Sequence, residues 1–352
     1  MELNEQIEAL CERAISQAVF PGCSVAYVVG GRATELAFGR LTYEDGAPKV
    51  RADTIYDVAS ITKSVPTSSL MLKLVEDGRI GLDDRVIDYI PELQNEHREQ
   101  VLVRHLLTYT ITFGLDGGTA ALSKKHPDTV IEELMSVPLV SAPGTTYWYA
   151  NGPAILMGLM VERIYGRPLD EVARMQLFGP LGMKLSTFSP VEYGLENVAP
   201  TEMLPDGEVR GRVHDESAWA ITKAGGHSGA AGLFTTSGDL LRFCQMLLGG
   251  GSLGDVKIFE PATVELMHTD QLRGLPDRAG LGWELLRPEL RGSAARDQTF
   301  GKTGFTGCVM MIDPQKHSAF VHLSNRTYPK RTEGREPINA FRKELADLVF
   351  DQ

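Results

Sequence analysis

Strand-like and helix-like apolar patterns are segregated along this chain, and that segregation limits the fold more than any other feature. Cys23 to Val29 reads as a buried strand, Gly30-Gly31 as a hairpin turn and Ala33 to Leu41 as the partner strand. Beyond Thr54 to Ala59, which reads as a short strand running into a turn, strand patterns return only near the other end. There, Gly282 to Leu286, Cys308 to Ile312 and Ala319 to Leu323 read as antiparallel neighbours. A helix is expected at each terminus. Residues 2–18 carry the apolar stripe Leu3, Ile7, Leu10, Cys11, Ala14, Ile15 and Ala18, and Pro337 to Phe350 reads as a closing helix. Between the ends the pattern is mostly helical. Pro153 to Tyr165 is strongly apolar and closed by Gly166, Asp239 to Leu248 is amphipathic, and Pro190 to Thr222 reads as loop. The expectation is an α+β fold in a single domain over residues 1–352. One antiparallel sheet, from about 1–60 and 281–352, is flanked by the N- and C-terminal helices, and a mostly helical part covers about 61–280.

Composition narrows the function classes. The chain has 352 residues and a net charge of −11, so it lacks the basic surface that nonspecific nucleic-acid binding needs. No apolar run approaches the roughly 20 residues of a membrane span. The acidic start, Met1-Glu2-Leu3-Asn4-Glu5-Gln6, lacks the basic and apolar regions of a signal peptide. A cytoplasmic location is expected, although a trimmed export leader would leave the same start. Cys11, Cys23, Cys244 and Cys308 are scattered, without C-x-x-C or metal-ligand spacing, and read as buried free thiols. No metal and no cofactor are expected. His97, His105, His126, His214, His268, His317 and His322 read as surface or packing residues, while Gly226-His227-Ser228-Gly229 reads as a turn whose His227 could line a cleft.

Three short motifs carry chemistry. In Ser60-Ile61-Thr62-Lys63 the serine follows the short strand and precedes an apolar run, Val65 to Val75, at helical spacing. Ser60 would then sit at a helix start with Lys63 one turn along the same face. A lysine whose pKa is lowered by burial or a nearby cation can take the serine proton, and helix-terminal N–H groups suit a developing oxyanion. A serine N-cap followed by an exposed lysine would look the same. In Tyr147-Trp148-Tyr149-Ala150-Asn151 a phenol near a lysine ammonium could be lowered enough to share a proton, and the Asn151 amide could grip a substrate carbonyl. A packed aromatic loop capping the next helix is the alternative. In Phe300-Gly301-Lys302-Thr303-Gly304-Phe305 glycines flank Lys302 and Thr303, which could meet a carboxylate; a hairpin edge with an exposed lysine is the alternative. Gly301-Lys302-Thr303 is not a phosphate loop, because Arg296 stands where the leading glycine belongs.

In this order the motifs resemble those of the serine penicillin-recognising enzymes, in particular the branch of class C β-lactamases, D,D-peptidases and family VIII esterases. Leu82 to Val86, Val103 to Thr108, Pro143-Gly144-Thr145, Pro180 to Met183 and Ala231 to Thr236 are similar to that family's usual segments. The resemblance implies a β-lactamase/transpeptidase-like fold and a cofactor-free serine hydrolase. Ser60 would be the acylated nucleophile, and Lys63 and Tyr149 would exchange protons with it. The N–H groups of Ser60 and Phe305 would form the oxyanion hole, while Asn151, Lys302, Thr303 and Gly304 would bind substrate. Thr108-Tyr109-Thr110-Ile111-Thr112 departs from the family's usual Thr-His-Thr-Ser-Gly, and Lys302 is the lactamase-like choice where relatives often carry His. A small-molecule ester, amide or β-lactam substrate is implied, with an esterase-type hydrolase favoured. β-Lactamase or D,D-carboxypeptidase action and a non-catalytic sensor module are the alternatives. Oligomeric state is not legible.

Overall fold

The computed structural model describes residues 2–285, 292–332 and 334–352. In chain order its principal elements are α1 (Leu3–Ser16), β1 (Gly22–Val29), β2 (Arg32–Gly39), α2 (Ser69–Glu76), α3 (Asn151–Tyr165), α4 (Glu216–Lys223) and α5 (Ser237–Leu248). They continue with β3 (Glu284–Leu285), β4 (Phe300–Thr303), β5 (Val309–Asp313), β6 (Ser318–Ser324) and α6 (Glu336–Phe350). The six strands form one antiparallel sheet in the order β2-β1-β6-β5-β4-β3. The two ends of the chain meet inside it, with Cys23 opposite Ser324 and Val28 opposite Ala319.

Strand alternation sends side chains to two covered faces. Val25, Tyr27, Val309, Met311 and Phe320 pack against Ile7 and Leu10 of α1 and Phe341, Leu345 and Val349 of α6. On the other face Ala26, Val28, Met310, Ile312 and Val321 join Leu240, Phe243 and Leu247 of α5 in the cluster that also holds the helical part. With both faces covered, β6 is buried throughout, whereas β2 alternates exposed and half-buried as an edge strand does. α3 runs through the helical part with Gly152 to Gly158 all buried, which is why its sequence is apolar on every side.

Three expectations are corrected. The N-terminal helix stops at Ser16, because Ala18 takes a left-handed φ of 54°. The segment Pro190 to Thr222 is not all loop: Glu202–Leu204 and Gly207–Val209 pair as a small hairpin, and α4 begins at Glu216. Asp215 caps α4 by accepting from Ala218 N, a start signal hidden among the prolines and glycines. The apolar run after Lys63 is not one helix. Val65 is extended (φ −121°, ψ 107°), as expected of a residue before proline, and regular helix begins at Ser69. Leu286, the expected end of a strand, lies outside the described residues. No described helix is long and apolar enough to cross a membrane.

Candidate active site

Asp57 builds the turn that presents Ser60. Its Oδ1 accepts from Ala59 N (2.8 Å) and its Oδ2 from His214 N (2.7 Å), and the whole side chain is buried. The bond to Ala59 holds that residue at φ 47°, a left-handed conformation that costs a non-glycine residue about 1 kcal/mol or more. Ser60 follows at once, in a single 3-10 turn, Ala59–Lys63. Because the chain breaks at Val65, Ser60 does not head a long helix, and a long helix dipole is not what favours an oxyanion here. Two backbone donors remain for that role. Among the described residues neither the Ser60 nor the Phe305 amide donates to a protein acceptor, and both residues line the same cavity.

Lys63 is fully buried, with Nζ 2.9 Å from Ser60 Oγ and a bond to the Ala230 carbonyl at 2.8 Å. That carbonyl reaches the lysine because Gly229 lies against α3, where a side chain would collide with the Ala154 carbonyl. Burial pulls the Lys63 ammonium down to about 7, against the opposing charge of Asp215 and with help from Lys302. Tyr149 lines the same cavity as Ser60 and lies with its ring 5.4 Å from Lys63 Nζ. Its phenol is not lowered as expected. Desolvation, with the Glu284 charge, raises it above its ordinary value, although the nearby Ser60 side chain opposes this. The residue still shows 36% of its surface, so it borders the open cavity as well as the two buried lysines.

The supporting residues depart from expectation in an informative way. Asn151 donates through Nδ2 to Asp215 Oδ2 (3.0 Å) and Ser217 Oγ (3.2 Å), leaving its carbonyl oxygen as the group for a ligand. Lys302 is brought to the site but is not a free hook for a carboxylate. It is 0% exposed, its Nζ lies 2.8 Å from Glu284 Oε1, and the rings of Tyr149 and Tyr109 stand 4.1 and 5.2 Å away. Burial is the largest single influence and lowers its ammonium, but the charge and hydrogen bond of Glu284 together with Tyr109 and Tyr147 outweigh it, and the net shift is upward. Thr303 lines the cavity, and Gly304 lets β4 touch the turn before Ser60, since a Cβ there would strike the Val58 carbonyl.

Free positive charge lies instead beyond Phe305. Arg326 donates to the Phe305 carbonyl (2.9 Å) and, with Arg335, stands over the Phe305 ring at 4.9 and 5.4 Å. Arg342 donates to the carbonyls of Gly304 (3.0 Å) and Cys308 (2.8 Å), and burial pulls its guanidinium down to about 10. Among the described residues no carboxylate pairs with these three arginines. They share a cavity of about 80 Å³ with Ser60, Thr303 and Phe305.

Sequence reasoning therefore missed Asp57, Tyr109, Asp215, Ala230, Glu284 and the arginines. Asp215 two residues before Ser217 is a recognisable cap pattern, and the basic density from Arg326 to Arg342 follows closely on Lys302-Thr303-Gly304. Glu284 has no local signal. His214, read as a packing residue, is one: buried, 3.0 Å from Glu202 Oε2 and stacked 6.0 Å from Phe305. His227 does not reach this cavity; it lies 3.5 Å from Asp170 and packs on Phe188. All four cysteines are free and buried, and burial pushes the Cys308 thiol up to about 11 behind the Asp57 turn.

Comparison with known proteins fits this geometry. The family model described as Beta-lactamase matches residues 7–343. A protein of Escherichia coli K12 named as a D-alanyl-D-alanine carboxypeptidase is 31% identical over 325 residues, covering 83% of this chain and 74% of the relative. Among solved structures, simvastatin synthase (LovD) from Aspergillus terreus superposes with a TM-score of 0.79 at 20% identity, over 100% of this chain and 99% of that one. EstCE1, a hydrolase with promiscuous acyltransferase activity, gives 0.76 at 20% identity, over 99% and 98%. The structural likenesses establish the fold. The family match along nearly the whole chain, with the 31% identical relative, makes this protein a member of the beta-lactamase family and a serine hydrolase.

Proposed function

We propose that the chain hydrolyses an ester or amide through an acyl-enzyme on Ser60, with Lys63 as the base. The observation that carries this reading is Lys63 Nζ at 2.9 Å from Ser60 Oγ in a setting that pulls the amine to about 7. Near neutral pH much of Lys63 is then uncharged and able to accept the hydroxyl proton as Oγ attacks the substrate carbonyl. The carbonyl oxygen, becoming negative, is received by the N–H groups of Ser60 and Phe305. Tyr149, held as a neutral phenol, is suited to hand a proton to the departing group and to recover it from Lys63. Water then attacks the acyl-enzyme and Ser60 leaves with its proton restored. Asn151 orients the acyl group through its free carbonyl oxygen, and Thr303 hydrogen-bonds the substrate beside it.

The unpaired arginines beyond Phe305 favour a substrate with a carboxylate on that side. The terminal carboxylate of a D-alanyl peptide has that chemistry, in keeping with the name of the relatives. Lys302, a cation already paired with Glu284, favours a second reading, turnover of neutral esters. Intact mass after brief exposure to p-nitrophenyl butyrate and, separately, nitrocefin tests the mechanism. A mass adduct or turnover lost in Ser60→Ala is expected; turnover that persists in Ser60→Ala would exclude Ser60 as the nucleophile.

A further inference from the structure

Among the described residues Glu284 is the one carboxylate paired with Lys302, and no step of the mechanism uses it. It sits on β3, opposite Gly301 of β4, and its side chain is 22% exposed. Among the described residues its only side-chain hydrogen bond is the 2.8 Å contact with Lys302 Nζ. Lys302 is enclosed by that carboxylate and the rings of Tyr109 and Tyr149. An ammonium so placed has its charge matched from within the protein, and a substrate carboxylate approaching it would meet Glu284 as well. Across the cavity, Arg326, Arg335 and Arg342 have no carboxylate partner among the described residues.

We propose that Glu284 is a specificity-determining residue that withholds Lys302 from substrate carboxylates and confines anion recognition to the arginine side of the cleft. The inference rests on the acyl-enzyme reading. It gives Glu284 a second, dependent effect on Lys63, which is faced by the charges of Asp215, Lys302 and Glu284. Removing the Glu284 negative charge disfavours the Lys63 ammonium and moves the acid limb of the rate profile to lower pH.

The test compares phenyl butyrate with 3-carboxyphenyl butyrate, the same acyl group on a neutral and an anionic leaving group, in wild type, Glu284→Gln and the double variant Glu284→Gln/Lys302→Met. Glu284→Gln keeps the shape and a hydrogen-bonding group while removing the charge. The expected result is a rise of about tenfold in kcat/KM for the anionic ester relative to the neutral one, carried mainly by KM, as an unmasked buried cation gains an anionic partner. The rise is expected to disappear in the double variant. Thermal melting and the amplitude of Ser60 labelling by a fluorophosphonate report folded, reactive enzyme in each case. An unchanged ratio in folded Glu284→Gln that still turns over the neutral ester overturns the inference alone. So does a rise that survives in the double variant, since Lys302 would not then be its source. Failure of wild type to hydrolyse or label at all overturns the acyl-enzyme reading and the inference with it.

Discussion

Lys63 and Lys302 are both fully buried at the same site, yet their ammonium groups shift in opposite directions. Desolvation acts against the charged form of each. The difference is the partner. Lys63 meets a hydroxyl and a carbonyl, which are neutral, while Lys302 meets a carboxylate at 2.8 Å. Burial therefore makes a base of one lysine, while the carboxylate beside the other keeps it a cation. The same side chain takes two roles because the sheet supplies Glu284 on one side and the loop at Ala230 supplies only a backbone oxygen on the other.

The largest test of this contrast removes each lysine in turn. Lys63→Met is expected to lower kcat by about 10²–10⁴-fold, the usual contribution of a positioned base, with little loss of folded protein because a buried amine near its pKa gives up little charge. Steady-state kinetics and thermal melting separate the two effects. Lys302→Met is expected to do the reverse. It leaves Glu284 without its partner and costs about 1–3 kcal/mol of stability, less than a fully enclosed pair because Glu284 is partly solvated, as read from denaturant unfolding. Equal losses of kcat in the two variants would break the comparison.

Titration gives a finer test. Lys63 acts as a base only when uncharged, so kcat/KM for a neutral ester is expected to rise with pH through a limb near 7 and then level off. A limb in the ordinary lysine range would mean that the amine is not desolvated. Asp215 holds the Lys63 ammonium up, so Asp215→Asn is expected to move that limb to lower pH, while also loosening Asn151 and raising KM. The smallest effect is expected at the nucleophile turn. Ala59→Gly relieves the left-handed strain at φ 47° and is expected to change stability by about 1 kcal/mol or less, with a lower kcat if that strain helps to fix Ser60.

Much of the frame was legible in the sequence because it rests on periodicity. The buried run Cys23 to Val29, the turn at Gly30-Gly31 and the terminal helices follow from residue type alone. Ser60, Lys63, Tyr149 and Lys302 were legible as motifs, and the fold brings them within reach of one another. What the sequence hid is of two kinds. Local exceptions such as the break at Val65 had a signal, Pro66, that the apolar spacing around it masked. Charge partners had none. Glu284 meets Lys302 only because β3 pairs with β4, and Asp215 meets Asn151 only because the segment after the small hairpin folds back over α3. The charge state of a site is a tertiary property, so a motif can name the lysines without telling which of them is neutral.

The pairing of β1 with β6 also has a consequence in time. Ser60 is synthesised well before the Phe305 amide that would receive the oxyanion, which is held by strands far along the chain. Contacts so distant in sequence close slowly and late. A chain truncated before Phe305 could present the serine and lysine without an oxyanion hole, so reactivity toward an acylating probe would report that the sheet has closed.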